Sequence, residues 1–343
     1  MKILLAGDWH SRVHEEPMAE GLRTIGHEVD EFRWNEYFAA RSRITQLVRK
    51  AQNKYLVGPR VDALNRDLIR IAKADLLFIY RGTHIKRETL QRIRAKNPSI
   101  IIAGYNNDDP FSQAYGGMWR HFLAAVPAYD IVFAYRYSNL DELARAGARR
   151  TALLRSWFVP ERIKPMQLSD DDRKKYESDV SFIGHYENDG RAECIEAVAK
   201  SGAKVRMFGP GRDYKQFGWR DLSIHPVWND DYNKALCGAK IALAFLSKLN
   251  RDTYTRRSFE IPASGTMMLS EYTDDLATLF KEGEEAEFFR SPEELVEKVR
   301  YYLANDDARR RIAEGGLRRV YADGHDVQSR MRKMIETIQE IRP

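Results

Sequence analysis

Twice along this chain, short apolar runs alternate with helical segments, and that doubled alternation limits the fold more than any other feature. In the first half, strands are expected at Lys2 to Ala6, Glu28 to Phe32, Leu76 to Tyr80, Ile100 to Tyr105 and Tyr129 to Tyr135. A helix over Glu15 to Ile25, closed by Gly26, separates the first two. Apolar strands divided by amphipathic helices build a parallel, doubly wound sheet. The pattern breaks at Trp157 to Glu177, where Pro160, Pro165 and the charged run Asp170 to Lys175 read as a linker. It then resumes with strands at Asp179 to Ile183, Lys204 to Phe208, Ile241 to Phe245 and Thr266 to Ser270. Helices are expected at Arg191 to Ser201, Asp231 to Cys237 and Glu293 to Leu303. Two more, Ala308 to Val320 and Val327 to Ile341, finish the chain, the first interrupted or weakened at Gly315-Gly316. The expected fold class is α/β, with two facing doubly wound Rossmann-like domains and an interdomain cleft. Domain 1–156 precedes a linker at 157–177 and domain 178–326, and 327–343 forms a helix that packs back on the first domain.

With 343 residues, two such domains can each bury a core. The balance of 43% hydrophobic and 31% charged residues is that of a globular protein, not a disordered one. No apolar run approaches the roughly 20 residues of a membrane-spanning helix. The start, Met1 to Asp8, runs into charge too early for a signal peptide, so a cytoplasmic protein is expected. Cys194 and Cys237 have no Cys-x-x-Cys spacing and no neighbouring histidine cluster, so buried thiols are expected instead of a disulfide or zinc site. The net charge of +6 is concentrated between Arg33 and Lys73, where ten basic residues face three acidic ones. Within it Ile44, Leu47, Val48, Ala51 and Tyr55 recur at helical spacing. This is a solvated basic helix face or a docking face for an anionic acceptor or membrane surface. Nucleic acid fits less well, because no recognition motif accompanies the charge.

In a parallel sheet, ligands collect at the carboxyl ends of the strands. In the first half those ends carry Gly7-Asp8-Trp9-His10, Arg81 to His84, Asn106 to Pro110 and Arg136 to Ser138. Asp8, His10, Asp108 and Asp109 are the groups able to take a proton from an attacking hydroxyl, and Arg81 lines the same crevice. His10 reads equally as an ordinary loop histidine, and Asp109, standing before Pro110, as a turn residue. In the second half Arg256 to Glu271 reads as a charged segment, a short helix stopped at Gly265, and a buried strand.

The second half resembles the C-terminal domain of GT-B glycosyltransferases, specifically the CgeB-like group with a "glycosyl transferases group 1"-type domain. The resemblance rests on five ordered blocks: Arg257 to Gly265, Leu279-Phe280 to Gly283, Ser291 to Leu295, Arg300 to Leu303, and His325 to Arg330. It extends more thinly to Phe182-Ile183-Gly184, Phe208-Gly209 and Asp108-Asp109-Pro110. Retaining members have two glutamates separated by seven residues, the second five positions before a helix-closing glycine. Glu260 stands five before Gly265, so the resemblance implies that it accepts hydrogen bonds from the donor ribose. Asp252 occupies the place of the first glutamate, a departure that shortens its reach to the donor sugar. An ion pair of Glu260 with Arg256 or Arg257 is the structural alternative.

For the donor diphosphate, the candidates are the loop Gly184-His185-Tyr186 with Arg191, the pair Arg256 and Arg257, and the turn at Gly265. Arg191 reads equally as a cap on a solvated helix face. The base is expected near Gly209 and Trp228, although Trp228 also fits a core position. Asn107-Asp108-Asp109 is similar to the metal-binding signature of another glycosyltransferase fold, which lacks two doubly wound halves. No metal and no cofactor are therefore expected.

The implied activity is transfer of a sugar from a nucleotide-diphosphate donor, UDP-sugar by default, to a hydroxyl acceptor. That acceptor is expected to be a glycan, lipid-linked glycan or other surface polysaccharide precursor, and retention is favoured over inversion. A nucleotide-sugar 2-epimerase and a catalytically degenerate glycan- or partner-binding protein are the alternatives; Asp252 keeps the latter open.

Overall fold

The computed structural model describes residues 1–9, 12–38, 51–52, 54–210 and 225–341. The chain divides into two compact units, Met1–Ser156 with Val327–Pro343, and Trp157–Asp326. The first contains β1 (Lys2–Gly7), α1 (Glu15–Thr24), β2 (Glu28–Arg33), α2 (Pro59–Ile71), β3 (Leu76–Tyr80), α3 (Arg87–Lys96) and β4 (Ile101–Asn106). It continues through α4 (Arg120–Ala125), β5 (Ile131–Ala134), α5 (Tyr137–Arg145) and β6 (Thr151–Leu153). Its six strands are all parallel, in the order β2-β1-β3-β4-β5-β6. The chain moves outward from β1 to β2, then returns to the other side of β1. This reversal makes the carboxyl ends of β1 and β3 the topological switch point.

Leu4, Leu77, Ile79, Ile102 and Val132 pack with Trp119 and Phe122 in one core of this unit. Strands β3, β4 and β5 are buried along their full length, as sequential apolar residues under helices on both faces require. The basic helical pattern beginning at Ile44 falls largely on residues outside those described. Strand β6, at the sheet edge, is only three partly buried residues and has no strand pattern in the sequence.

The second unit contains α6 (Asp170–Tyr176), β7 (Ser178–Ile183), α7 (Arg191–Lys200), β8 (Val205–Phe208), α8 (Asp230–Cys237) and β9 (Ala239–Ala244). Then come α9 (Arg257–Ala263), β10 (Met267–Glu271), α10 (Asp274–Leu279), β11 (Glu287–Phe289), α11 (Pro292–Ala304) and α12 (Asp306–Ala322). Its five parallel strands run β11-β10-β9-β7-β8, with the reversal between β7 and β9. Residues 157–177, read above as a linker, count with this unit, and α6 occupies the charged run with Ser169 as its cap.

Helix α12 corrects the expectation of a break at Gly315-Gly316, because it runs through both glycines. A β-carbon at Gly315 would lie 2.0 Å from the Glu284 carbonyl oxygen, and one at Gly316 would lie 2.5 Å from that of Glu285. Close backbone approach selects these glycines. The last helix, α13 (Val327–Gln339), packs on α1, where a β-carbon at Gly21 would stand 3.3 Å from Met331.

Candidate active site

The loop after β9 leads into α9, so that helix starts on the carboxyl side of the second sheet. The Thr255 amide donates to Ser258 Oγ at 3.2 Å, fixing the entry, and Gly265 ends the helix with φ of +77°. A β-carbon there would also approach Pro165 to 3.2 Å. Glu260 projects from α9 with only 6% of its surface exposed. The Tyr232 hydroxyl donates to its Oε2 at 2.6 Å, and Arg256 Nε meets its Oε1 at 2.8 Å. The ion pair with Arg256 named as the alternative is therefore present. Burial, then the Glu260 charge, push the Tyr232 pKa well above its ordinary value, so the phenol stays a donor. Arg257 makes no ion pair with a carboxylate among the described residues, and its Nε is buried without a hydrogen-bond partner.

Asp252 lies in the loop between β9 and α9, where its amide donates to the Ser247 carbonyl at 2.9 Å. Glu271 holds the beginning of this loop, accepting from the Leu246 amide at 2.6 Å and pairing with Lys248 at 3.0 Å. Ser247 Oγ donates to Glu187 at 2.8 Å, tying the loop after β9 to the loop after β7. Sequence spacing left Glu271 outside the site; its role is to shape the loop carrying Asp252.

Arg191, a candidate for the diphosphate or a cap on a solvated helix face, is buried and engaged within its own loop. It is 2% exposed and grips Asp189 with two bonds, Nε to Oδ1 at 2.8 Å and NH2 to Oδ2 at 2.5 Å. A third bond runs from NH1 to the His185 carbonyl at 2.8 Å. A guanidinium engaged this way braces the loop after β7. The His185 residue itself is exposed, while Gly184 donates to the Phe208 carbonyl and passes so close to Phe182 that a β-carbon would lie 2.8 Å from its ring. Gly209 donates to the His225 carbonyl at 3.1 Å. Trp228 is 69% exposed and not a core residue, and Asn229 beside it has φ of +52°.

In the first unit, Arg81 and Asp108 meet at 2.5 Å beyond the ends of β3 and β4. The Arg81 guanidinium also lies over the Trp119 ring, 5.2 Å from its centre. Asp109, in contrast, is fully buried: its Oδ1 accepts from the Phe111 amide and from Asn139 Nδ2, both at 3.0 Å. Its carboxylate is enclosed in the turn around Pro110, which removes it from the groups poised to meet an acceptor. His10 lies outside the described residues. Asp8 is half-buried, and its amide and that of Trp9 both donate to Glu15 Oε1 at 2.9 Å.

Glu15 is 1% exposed, and burial raises its pKa despite these bonds. A β-carbon at Gly7 would stand 2.6 Å from Glu15 Oε1, so the first strand ends in glycine to admit the carboxylate. The sequence offered Glu15 only as a helix-start residue, and Tyr232 only as one position in a helical pattern. Five non-glycine residues among those described have positive φ, and Trp9, Arg81 and Arg251 directly follow or lie in the loops after β1, β3 and β9. Backbone held in this sparsely populated region clusters at functional loops. Among the described residues no group of three or more His, Cys, Asp or Glu side chains could hold a metal ion.

Two Rossmann-like units with parallel sheets of six and five strands constitute the GT-B glycosyltransferase fold. Residues 191–336, the stretch that carries Glu260, match the family described as glycosyl transferase-like. HepE of Anabaena, solved in complex with UDP and glucose, is similar with a TM-score of 0.68 and 14% identity over 99% of this chain and 100% of that one. Sucrose-phosphate synthase of Thermosynechococcus elongatus superposes with a TM-score of 0.71 and 12% identity, over 99% of each chain. A putative UDP-N-acetylglucosamine 2-epimerase of Listeria monocytogenes gives 0.59 and 9%, over 98% of this chain and 95% of that one. No curated protein matches this chain in sequence.

Proposed function

We propose that the protein transfers a sugar from a UDP-sugar to a hydroxyl of a glycan, lipid-linked glycan or other surface polysaccharide precursor. The observation that carries the reading is the buried Glu260 side chain, met by the Tyr232 hydroxyl and by Arg256 on a helix whose first residue, Arg257, makes no ion pair with a carboxylate among the described residues. An acceptor for ribose hydroxyls next to a cation for phosphate suits a nucleoside diphosphate. The HepE complexes with UDP and with UDP-glucose support the choice of base. The narrower CgeB-like assignment rests on the sequence blocks given above.

In this reading, Arg256, Arg257 and the loop after β7 face the diphosphate, and Trp228 offers an exposed ring to the base. Asp252 faces the donor sugar, while Asp8, Arg81 and Asp108 receive the acceptor. Retention of configuration and independence of metal are part of the proposal; a chelator should then leave turnover unchanged. A cytoplasmic enzyme fits the composition. Residues 33–73 would give a peripheral contact with an anionic membrane or acceptor, tested by salt-sensitive binding to phosphatidylglycerol vesicles. No described helix is long and apolar enough to cross a membrane.

The test is a thermal-shift screen of UDP, GDP, ADP and their sugar conjugates. A ligand at about 100 times its Kd stabilises by about 2.7 kcal/mol, and UDP or a UDP-sugar is expected to be the one. No shift with any nucleotide would overturn the reading. The fold likeness to an epimerase keeps a second reading in view, and acceptor-free conversion of the UDP-sugar to its 2-epimer would favour it.

A further inference from the structure

We infer that Tyr232 is the positioning residue that makes this site select ribonucleotides over 2′-deoxyribonucleotides, an inference that rests on the nucleotide-binding reading above. A carboxylate has about four acceptor positions, two on each oxygen. In Glu260, Tyr232 occupies one on Oε2 at 2.6 Å, while Arg256 Nε stands 2.8 Å from Oε1 as an ion pair that fills at most one position there. At least one position therefore remains on each oxygen. That remainder matches a vicinal diol, whose two hydroxyls present two donors side by side.

Geometry explains why the tyrosine is needed. Arg256 holds one oxygen from the neighbouring turn of the same segment, which alone leaves the carboxylate free to rotate about its last torsion. Tyr232 approaches from α8, 28 residues away in sequence, and holds the other oxygen. A directional hydrogen bond from one element and an ion pair from another together fix the carboxylate plane. The tyrosine is itself set by the turn at Asn229, whose φ is +52° and whose carbonyl accepts from the Tyr232 amide at 3.1 Å. Nothing else on α8 reaches Glu260 by a side-chain hydrogen bond among the described residues.

The experiment measures Kd for UDP, GDP and ADP and for their 2′-deoxy counterparts, using the full chain, Tyr232→Phe, Arg256→Lys and Glu260→Gln. The unmodified protein should favour the ribonucleotide by about tenfold or more, the scale of one lost charge-assisted hydrogen bond. In Tyr232→Phe that ratio should shrink several-fold while binding of the deoxynucleotide changes little. Loss of general packing would weaken both ligands equally and leave the ratio intact, which would overturn the inference. Arg256→Lys, which loses the fixed Nε contact but keeps the charge, should also narrow the ratio and serves if the phenylalanine variant does not fold. A ratio unchanged in both variants overturns the role of Tyr232 alone. An unmodified chain that binds none of the six nucleotides overturns the nucleotide reading, and this inference with it.

Discussion

Replacing Glu260 by alanine removes the ion-pair partner of Arg256 and leaves the half-buried Tyr232 hydroxyl without its acceptor. UDP affinity measured by calorimetry should fall about tenfold or more, on the scale of a hydrogen bond to a charged group. Unaltered affinity would remove Glu260 from the site. Glu15 gives a second residue-scale expectation, with a sign fixed by burial. Its folded pKa is raised, so at low pH both folded and unfolded chains hold its proton and its burial costs little. As pH rises through the folded value, the ionised carboxylate stays enclosed and stability is lost. Glu15→Gln keeps an oxygen for the Asp8 and Trp9 amides but never ionises. Its melting temperature should gain on that of the unmodified chain as pH rises from about 4 to about 8; a gap independent of pH would contradict this. The stop of α9 at Gly265 was legible, because local helix termination is written locally. Tyr232 was not, since its partner is a different element, and nothing in either segment marks the meeting.

At the level of elements, the two glycines of α12 reverse the usual propensity argument. Alanine in a helix interior gains about 1 kcal/mol over glycine, yet Gly315→Ala should destabilise. The added methyl would sit 2.0 Å from the Glu284 carbonyl oxygen, and overpacking of this kind costs about 1 to 3 kcal/mol. Backbone has to shift, so denaturant unfolding should show a net loss; a gain would mean that the 284–285 turn yields freely. The sequence presented Gly315-Gly316 as a helix breaker because the carbonyls they admit lie 31 residues earlier. Arg191 teaches the complementary lesson. Its partner Asp189 is only two positions away, and that local pair was the available sign that its fork was already engaged. Strands were readable by their apolar runs, but not the order that reverses between β1 and β3 and between β7 and β9.

On the scale of the molecule, the first unit is made of two separate pieces of chain. Its second piece, α13, buries Met331, Met334, Ile335 and Ile338, and it packs on α1. Met331→Ala should cost about 2 to 5 kcal/mol in that unit, seen as a lowered unfolding midpoint. Limited proteolysis should then cut first within 1–156, leaving 157–326 intact; the opposite order would contradict this packing. Periodicity made α13 visible in the sequence, whereas its attachment to a helix some three hundred residues earlier depends on surface complementarity alone. The same arrangement leaves Trp157–Asp326 as one uninterrupted stretch inserted into the other unit. Near its ends, the Phe158 amide donates to the His325 carbonyl at 3.1 Å, and Phe158 bridges Asp326. A segment that enters and leaves at one spot behaves as a cassette: exchanging it for the equivalent stretch of another protein of this fold needs only two neighbouring splices. Under the function proposed above, recombination could therefore change the donor preference while the rest of the chain, including its C-terminal helix, stays unchanged.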